Sequence, residues 1–151
     1  MNLPEISLRI ATTGETTELL VLVAEFCEVD QHAFDAGRVC RALGPLLEHD
    51  RHGVVYLIED NTTATLLGYA VLTWGYSLES GGREALIDEI YLRKRGEGLG
   101  AIVMTQIFDA MRERGISRMF LETETHNDRA RRFYSRQGFE ADDSIWMSRD
   151  L

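Results

Sequence analysis

The segment from Ala85 to Thr123 restricts the fold more than any other part of the chain. A strand-like run, Ala85-Leu86-Ile87-Asp88-Glu89-Ile90-Tyr91-Leu92, leads into the loop Arg95-Gly96-Glu97-Gly98-Leu99-Gly100, then a helix-like run from Ala101 to Arg114, then a second strand-like run from Met119 to Thr123. Two strands of one sheet joined through a helix lie parallel, because the crossover returns the chain to the end from which it started. The glycine loop then sits where the first strand meets the helix. Glycines let backbone approach a ligand with no Cβ in the way, and the first N–H groups of a helix lack intrahelical partners. Such a place binds anions, phosphate above all.

Periodicity supplies the remaining elements. Ser7 to Ala11 reads as an opening strand, and Thr12 with Glu15 three residues later forms a capping-box start for a helix whose apolar face is Leu19, Leu20, Leu22, Val23 and Phe26. A second helical pattern uses Val39, Ala42, Leu43, Leu46 and Leu47, and Gly44-Pro45 predicts a kink or two short helices there. Val54 to Ile58 and Thr65 to Trp74 read as a hairpin around Asp60-Asn61, and Glu79-Ser80-Gly81-Gly82 turns the chain into the strand ending at Leu92. The helix after the loop buries Ile102, Val103, Ile107, Phe108 and Met111 and stops at Gly115. Asp128 to Gln137 forms a short helix stopped by Gly138, and Ile145 to Met147 is part of a final strand. The order β-α-α-β-β-β-α-β-α-β describes a single mixed α/β (α+β) domain over residues 1–151, with antiparallel strands first and a parallel pair around the long helix.

Composition narrows function by exclusion. The chain has 151 residues, 44% hydrophobic and 27% charged, which suits a globular domain with a sizeable core. No apolar run is long enough for a membrane span, and the N-terminus lacks the basic-then-apolar order of a signal peptide, so a cytoplasmic protein is expected. Cys27 and Cys40 read as core or half-buried fillers in a reducing compartment. They and the scattered His32, His49, His52 and His126 have no metal-ligand spacing, so no metal site is expected. A net charge of −9 disfavours nucleic acid as a partner. Residues 1–92 carry 5 basic against 15 acidic side chains, whereas residues 93–151 carry 11 against 10. An acidic half facing a shared cleft would concentrate a cationic substrate.

Taken alone, the loop fits three cofactors. Gly96-x-Gly98-x-x-Ala101 matches a dinucleotide fingerprint, with Glu122 about twenty residues on as a ribose-binding acid, and Gly96-x-Gly98-x-Gly100 matches loops that bind S-adenosylmethionine. A doubly wound nucleotide fold normally begins with its glycine loop and needs several further β-α units, but only about 50 residues follow here. The basic run Arg93-Lys94-Arg95 also suits a pyrophosphate or ribose phosphate better than a sulfonium cation.

The C-terminal third adds Asn127-Asp128-Arg129-Ala130-Arg131-Arg132-Phe133-Tyr134-Ser135-Arg136-Gln137-Gly138-Phe139. Together with the preceding R-x-x-G-x-G this resembles the paired signature of the GNAT N-acetyltransferase superfamily, and the likeness extends over roughly residues 5–147. Glu18 to Asp35 and the acidic pair Asp88-Glu89 resemble polyamine-type members. The resemblance implies acetyl transfer from acetyl-CoA to a primary amine of a small, cationic substrate by direct attack in a ternary complex. Protein or peptide N-acetylation and a non-catalytic acyl-CoA-binding module are the alternatives.

The same resemblance implies parts for individual residues. The CoA pyrophosphate would rest on Gly96, Glu97, Gly98, Leu99, Gly100 and Ala101 with Arg95 adding charge. The pantetheine arm would lie along Ile90, Tyr91 and Leu92, in a splay between that strand and the one ending at Glu122 to Glu124. Asn127 would contact the arm or cap its helix, and Tyr134 would protonate the leaving thiolate. Neighbouring strand residues point to opposite faces, so only one of Asp88 and Glu89 enters the cleft; Glu89 is taken as the base and Asp88 as a substrate contact. Glu25, Glu28, Asp30 and Asp35 are further candidates for holding a cation. A homodimer is common among relatives, with Trp74, Tyr76 or Trp146 as anchors.

Overall fold

The computed structural model describes residues 4–151. It contains β1 (Ile6–Ile10), a 3-10 turn (Thr13–Glu15), α1 (Thr16–Val29), α2 (Ala36–Glu48), β2 (Gly53–Asp60), β3 (Thr65–Ser77), β4 (Gly82–Leu92), α3 (Leu99–Glu113), β5 (Arg118–Phe120) and α4 (Asp128–Arg136). The strands form one sheet in the order β1-β2-β3-β4-β5, antiparallel except for the parallel pair β4–β5. This is the mixed architecture expected from the strand–loop–helix–strand segment.

Alternation along the central strands divides the core into two layers. Val54, Tyr56 and Ile58 of β2, with Ala70 and Leu72 of β3, face α3, where Val103, Met104, Ile107 and Met111 cover them. Val55 and Leu57, with Tyr69 and Val71, face the other way, onto Leu19, Leu22 and Val23 of α1 and Leu43 of α2. Strands covered on both faces read as continuous apolar runs, which is why Val54 to Ile58 shows no polar residue. The strands also approach closely: a Cβ on Gly68 would lie 1.9 Å from the Tyr91 carbonyl oxygen, so only glycine fits there.

The helix starts follow their local signals. Glu15 accepts from the Thr12 N–H at 2.7 Å, completing the box ahead of α1. Asp35 accepts from the Arg38 N–H at 3.0 Å and caps α2. Gly115 and Gly138, with φ of 74° and 92°, take the left-handed conformation that ends α3 and α4.

Four expectations need correction. Helix α2 runs unbroken through Gly44 and Pro45, because Pro45 lies near its end on the exposed side, where the freed Arg41 carbonyl can reach water. Cys40 is exposed rather than a core filler, while Cys27 is half-buried. Strand β5 stops at Phe120, so Leu121 to Thr123 leave the sheet. Ile145 to Met147 form no strand; Ile145, Trp146 and Met147 are 89%, 76% and 91% exposed.

Candidate functional site

A cleft of about 780 Å³ opens where β4 and β5 part. The two strands pair only through Glu84↔Arg118, Ala85↔Met119 and Leu86↔Phe120, whereas β4 stays paired with β3 as far as Leu92. From Ile87 onward the β5 side of β4 therefore has no strand beside it. Leu121 to Glu124 form the opposite wall, the first turn of α3 closes one end, and Asn127, Ala130, Phe133 and Tyr134 of α4 and its cap overhang it. An open strand edge inside a cleft accepts an extended, amide-bearing chain as an added strand.

The glycine loop shapes the end of the cleft. Gly96, Glu97 and Gly98 all have positive φ, 89°, 57° and 73°, and turn the chain so that α3 begins at Leu99. Gly98 is the cap of α3 and has no side chain to occupy the first-turn N–H groups; Leu99 donates to the Gly96 carbonyl at 3.3 Å, and the N–H groups of Gly100 and Ala101 are left for a ligand. A Cβ built on Gly96 or Gly98 would meet nothing within 4 Å, so it is the positive φ, not crowding, that favours glycine at both positions. Gly100 is small for a different reason: its Cβ would lie 3.0 Å from the Phe133 ring, so glycine lets α3 and α4 approach.

Of the three basic residues before the loop, two have ion-pair partners. Arg93 grips Glu25 of α1 with Nε and Nη2 at 2.9 and 2.7 Å, and Lys94 pairs with Glu97 at 2.9 Å. Arg95 alone of the three has no ion pair among the described residues; both it and Lys94 line the cleft. The Glu97 side chain pairs with Lys94 and does not line the cleft. Ile90, Tyr91, Leu92, Gly96, Gly98, Leu99, Gly100 and Ala101 do.

The acidic pair departs from simple alternation. Val71 pairs with Glu89 and Leu72 with Ile87, leaving Asp88 as an extra residue in a β-bulge. Before the bulge, Ala85 and Ile87 face α3; after it, Ile90 and Leu92 do. Glu89 is thereby rotated onto the face of Tyr69 and α1, and Asp88 and Glu89 both line the cleft. The expectation that only one could enter it is wrong for this reason.

Glu89 is held by Tyr69, whose buried phenol donates to Oε2 at 2.8 Å. Burial pushes the Glu89 carboxyl up from its ordinary value, Asp88 and Asp30 add to the rise, and Tyr69 and His32 oppose it. Burial likewise raises Asp88, although its side chain reaches solvent at the cleft mouth. Phe26, Asp30 and His32 complete this end of the cleft. Phe26 stacks near Tyr69 and Tyr91, with ring centroids 6.4 and 5.9 Å away. Glu28 is exposed and does not line the cleft, Glu25 is bound by Arg93 and Tyr91, and Asp35 is the cap of α2. Asp30 alone of the four α1-side candidates reaches the site.

Tyr134 lines the cleft with no hydrogen bond to its hydroxyl among the described residues, and burial raises its pKa, so the phenol keeps its proton at neutral pH. Phe133 and Phe139 hold its ring edge-to-face at 5.1 and 5.8 Å. Asn127 caps α4, its Oδ1 accepting from the Ala130 N–H at 3.1 Å, and also lines the cleft. Tyr69, Phe26 and His32 were not singled out as site residues from the sequence. A phenol within the apolar strand Leu66 to Leu72 was the available signal for Tyr69; nothing local marked the other two.

Among the described residues no cluster of three or more His, Cys, Asp or Glu side chains could hold a metal ion, and no helix is long and apolar enough to cross a membrane. The groups present instead fit a phosphate-bearing ligand with an extended arm: a glycine-capped helix start, an unpaired arginine and an open strand edge.

Comparison with known proteins agrees with this geometry. No curated protein matches the sequence significantly. An integron cassette protein from the mobile metagenome of Cole Harbour Salt Marsh is 30% identical, with a TM-score of 0.82 over 95% of this chain and 90% of that one. A predicted acetyltransferase from Clostridium acetobutylicum, solved with acetyl-CoA, has a TM-score of 0.78 at 17% identity over 97% and 96% of the two chains. The ribosomal-protein-alanine N-acetyltransferase of Brucella melitensis biovar Abortus 2308 has a TM-score of 0.75 at 20% identity over 96% and 99%. The last two share the fold. The family model for the acetyltransferase (GNAT) family matches residues 20–139, and with the glycine-capped cleft between β4 and β5 it makes this chain a member of that family.

Proposed function

We propose that the chain transfers the acetyl group of acetyl-CoA to a primary amine of a small cationic molecule. The observation that carries this reading is the convergence on one cleft of a glycine-capped helix start, the open edge of β4, the buried carboxylate Glu89 and the protonated phenol Tyr134. The residues at the α3 end suit the pyrophosphate of CoA, with Arg95 as the charge, and the edge Ile90–Leu92 suits the amides of its arm. Bound acetyl-CoA supplies an activated thioester.

The chain's own groups supply the proton transfers. Glu89 accepts a proton from the substrate ammonium, directly or through one water, and a raised pKa makes it a better base than an exposed carboxylate. Attack of the freed amine on the acetyl carbon would break the carbon–sulfur bond; Tyr134 would give its proton to the departing sulfur and regain one, through water, from the second proton that the nitrogen loses on becoming an amide. A backbone N–H on the open edge of β4 can polarise the carbonyl. Asp88, Asp30 and the Phe26 ring attract the cation through charge and π face.

Thiol release from acetyl-CoA across a panel of polyamines, aminoglycosides and peptides tests this reading. Amine-dependent release with small cations, lowered by at least ~10²-fold in Tyr134→Phe, is expected for loss of the acid. Release with peptides alone would move the assignment to protein acetylation, and CoA binding without release on any acceptor would leave a ligand-binding module.

A further inference from the structure

Glu25 of α1 and Arg93, the first residue after β4, have no part in the acetyl-transfer chemistry, and neither lines the cleft. Yet they form the most extensively bonded ion pair beside it. Arg93 donates to the Glu25 carboxylate side-on, Nε to Oε2 at 2.9 Å and Nη2 to Oε1 at 2.7 Å, and the Tyr91 hydroxyl donates to Oε2 at 3.2 Å. A side-on guanidinium fixes orientation as well as distance. Arg93 also donates from Nη1 to the Leu66 carbonyl at 3.3 Å and from its backbone N–H to the Leu67 carbonyl at 2.8 Å. One residue thus ties the end of β4 to both α1 and β3. The Arg93 guanidinium holds the Glu25 carboxyl below its ordinary value against the opposing effect of burial, so the pair is ionised at neutral pH.

The glycine loop has few other anchors. Among the described residues its backbone bonds run only to α3, from the Leu99 N–H to the Gly96 carbonyl at 3.3 Å and from the Ile102 N–H to the Gly98 carbonyl at 3.2 Å. Glu97, with φ of 57°, holds a left-handed conformation that a residue with a Cβ disfavours. The loop is therefore kept in an unfavoured path by its two ends, α3 on one side and Arg93 on the other. Arg95, the cation without an ion pair, lies two residues beyond that second anchor.

We propose that Glu25 is a positioning residue for the cofactor: through Arg93 it fixes the sheet end of the glycine loop, and with it the place of Arg95 against the pyrophosphate. The proposal rests on the reading that the cleft holds CoA. It gives Glu25 a role in cofactor binding in place of the cation contact expected from the sequence.

The sign of one substitution separates this role from bulk charge. Deleting a carboxylate near an anionic ligand, or freeing a guanidinium to reach it, would tighten CoA binding. Loss of positioning weakens it. In calorimetric titration Glu25→Gln should weaken CoA binding by about 5-fold, the order set by a well-formed, partly exposed ion pair. The KM for acetyl-CoA should rise by the same factor, with kcat, the KM for the amine and the thermal midpoint retained. Glu25→Asp keeps the charge but shortens the reach, so it should also weaken binding, and it decides the matter if the amide variant folds poorly. Combining Glu25→Gln with Arg93→Gln should cost no more than the larger single loss, because both break one contact. Unchanged or tighter CoA binding in both Glu25 variants, additive losses in the double variant, or a fall in kcat together with the thermal midpoint would overturn the proposal. Wild-type protein that does not bind CoA would overturn the reading of the cleft beneath it.

Discussion

Replacing Tyr69 by phenylalanine removes one hydroxyl from a fully buried ring and leaves the packing in place, so it isolates the hydrogen bond to Glu89 Oε2 at 2.8 Å. Hydrogen bonds to charged groups contribute about 1.5–3 kcal/mol. At 1.36 kcal/mol per pKa unit this corresponds to a rise of about 1–2 units in the Glu89 pKa. Glu89 is half-buried and lines an open cleft, so water can replace part of the lost bond, and the low end, about 1 unit, is expected. A base must be ionised to act, so the acidic limb of the kcat/KM profile should move to higher pH by that amount. On the limb, activity falls about 10-fold; on the alkaline plateau it is nearly unchanged. The groups that face Glu89, namely Asp88, Asp30, His32 and Cys27, stay in place and keep the remaining shape of the profile. Thiol release measured over pH, beside a thermal melt to verify folding, provides the assay. An unmoved limb, or an equal loss at every pH, would refute the assignment of Glu89 as the base oriented by Tyr69.

Other outcomes follow from the same geometry. Glu89→Gln should abolish turnover yet raise the melting temperature at neutral pH. The native carboxyl is held above its ordinary value near 4.5, so the folded state loses stability as pH rises through the window above that value, and the amide removes that loss. Stability curves of the two proteins measured against pH should diverge above that value and coincide below it. Arg95→Ala should weaken CoA binding by ~10-fold or more in a titration, with the fold intact, since Arg95 has no structural ion pair to lose. Gly100→Ala forces its new Cβ against Phe133 at 3.0 Å and should destabilise by ~1–3 kcal/mol in denaturant melts while misplacing the neighbouring Tyr134.

The features legible in the sequence are those written in local pattern. The glycine loop, the amphipathic face of α3, the capping box at Thr12 and the parallel pair all depend on spacings of a few residues, and the structure has each of them. The bulge at Asp88 was not legible, because it exists only as a mismatch in register between β3 and β4 and no glycine or proline marks it. That single extra residue decides which way Glu89 points. Phe26 and His32 reach the site through packing of α1 against the sheet, a tertiary fact with no counterpart in sequence spacing, and Tyr69 meets Glu89 across the β3–β4 pair. Pro45 misled because its exposed position near the helix end makes the lost hydrogen bond inexpensive. The final strand expected at Ile145 to Met147 is absent, because an apolar run of three residues does not by itself make a strand, and those side chains are exposed.

Thermal unfolding with CoA, NAD and S-adenosylmethionine in parallel decides which of them the cleft beginning at Arg95–Gly100 holds. A ligand that binds only the folded state raises the melting temperature in proportion to the logarithm of its occupancy ratio, by about 2.7 kcal/mol of stability at a hundredfold excess over its dissociation constant. Stabilisation by CoA alone, reduced in Arg95→Ala, is expected. Stabilisation by NAD or S-adenosylmethionine with none by CoA would contradict it.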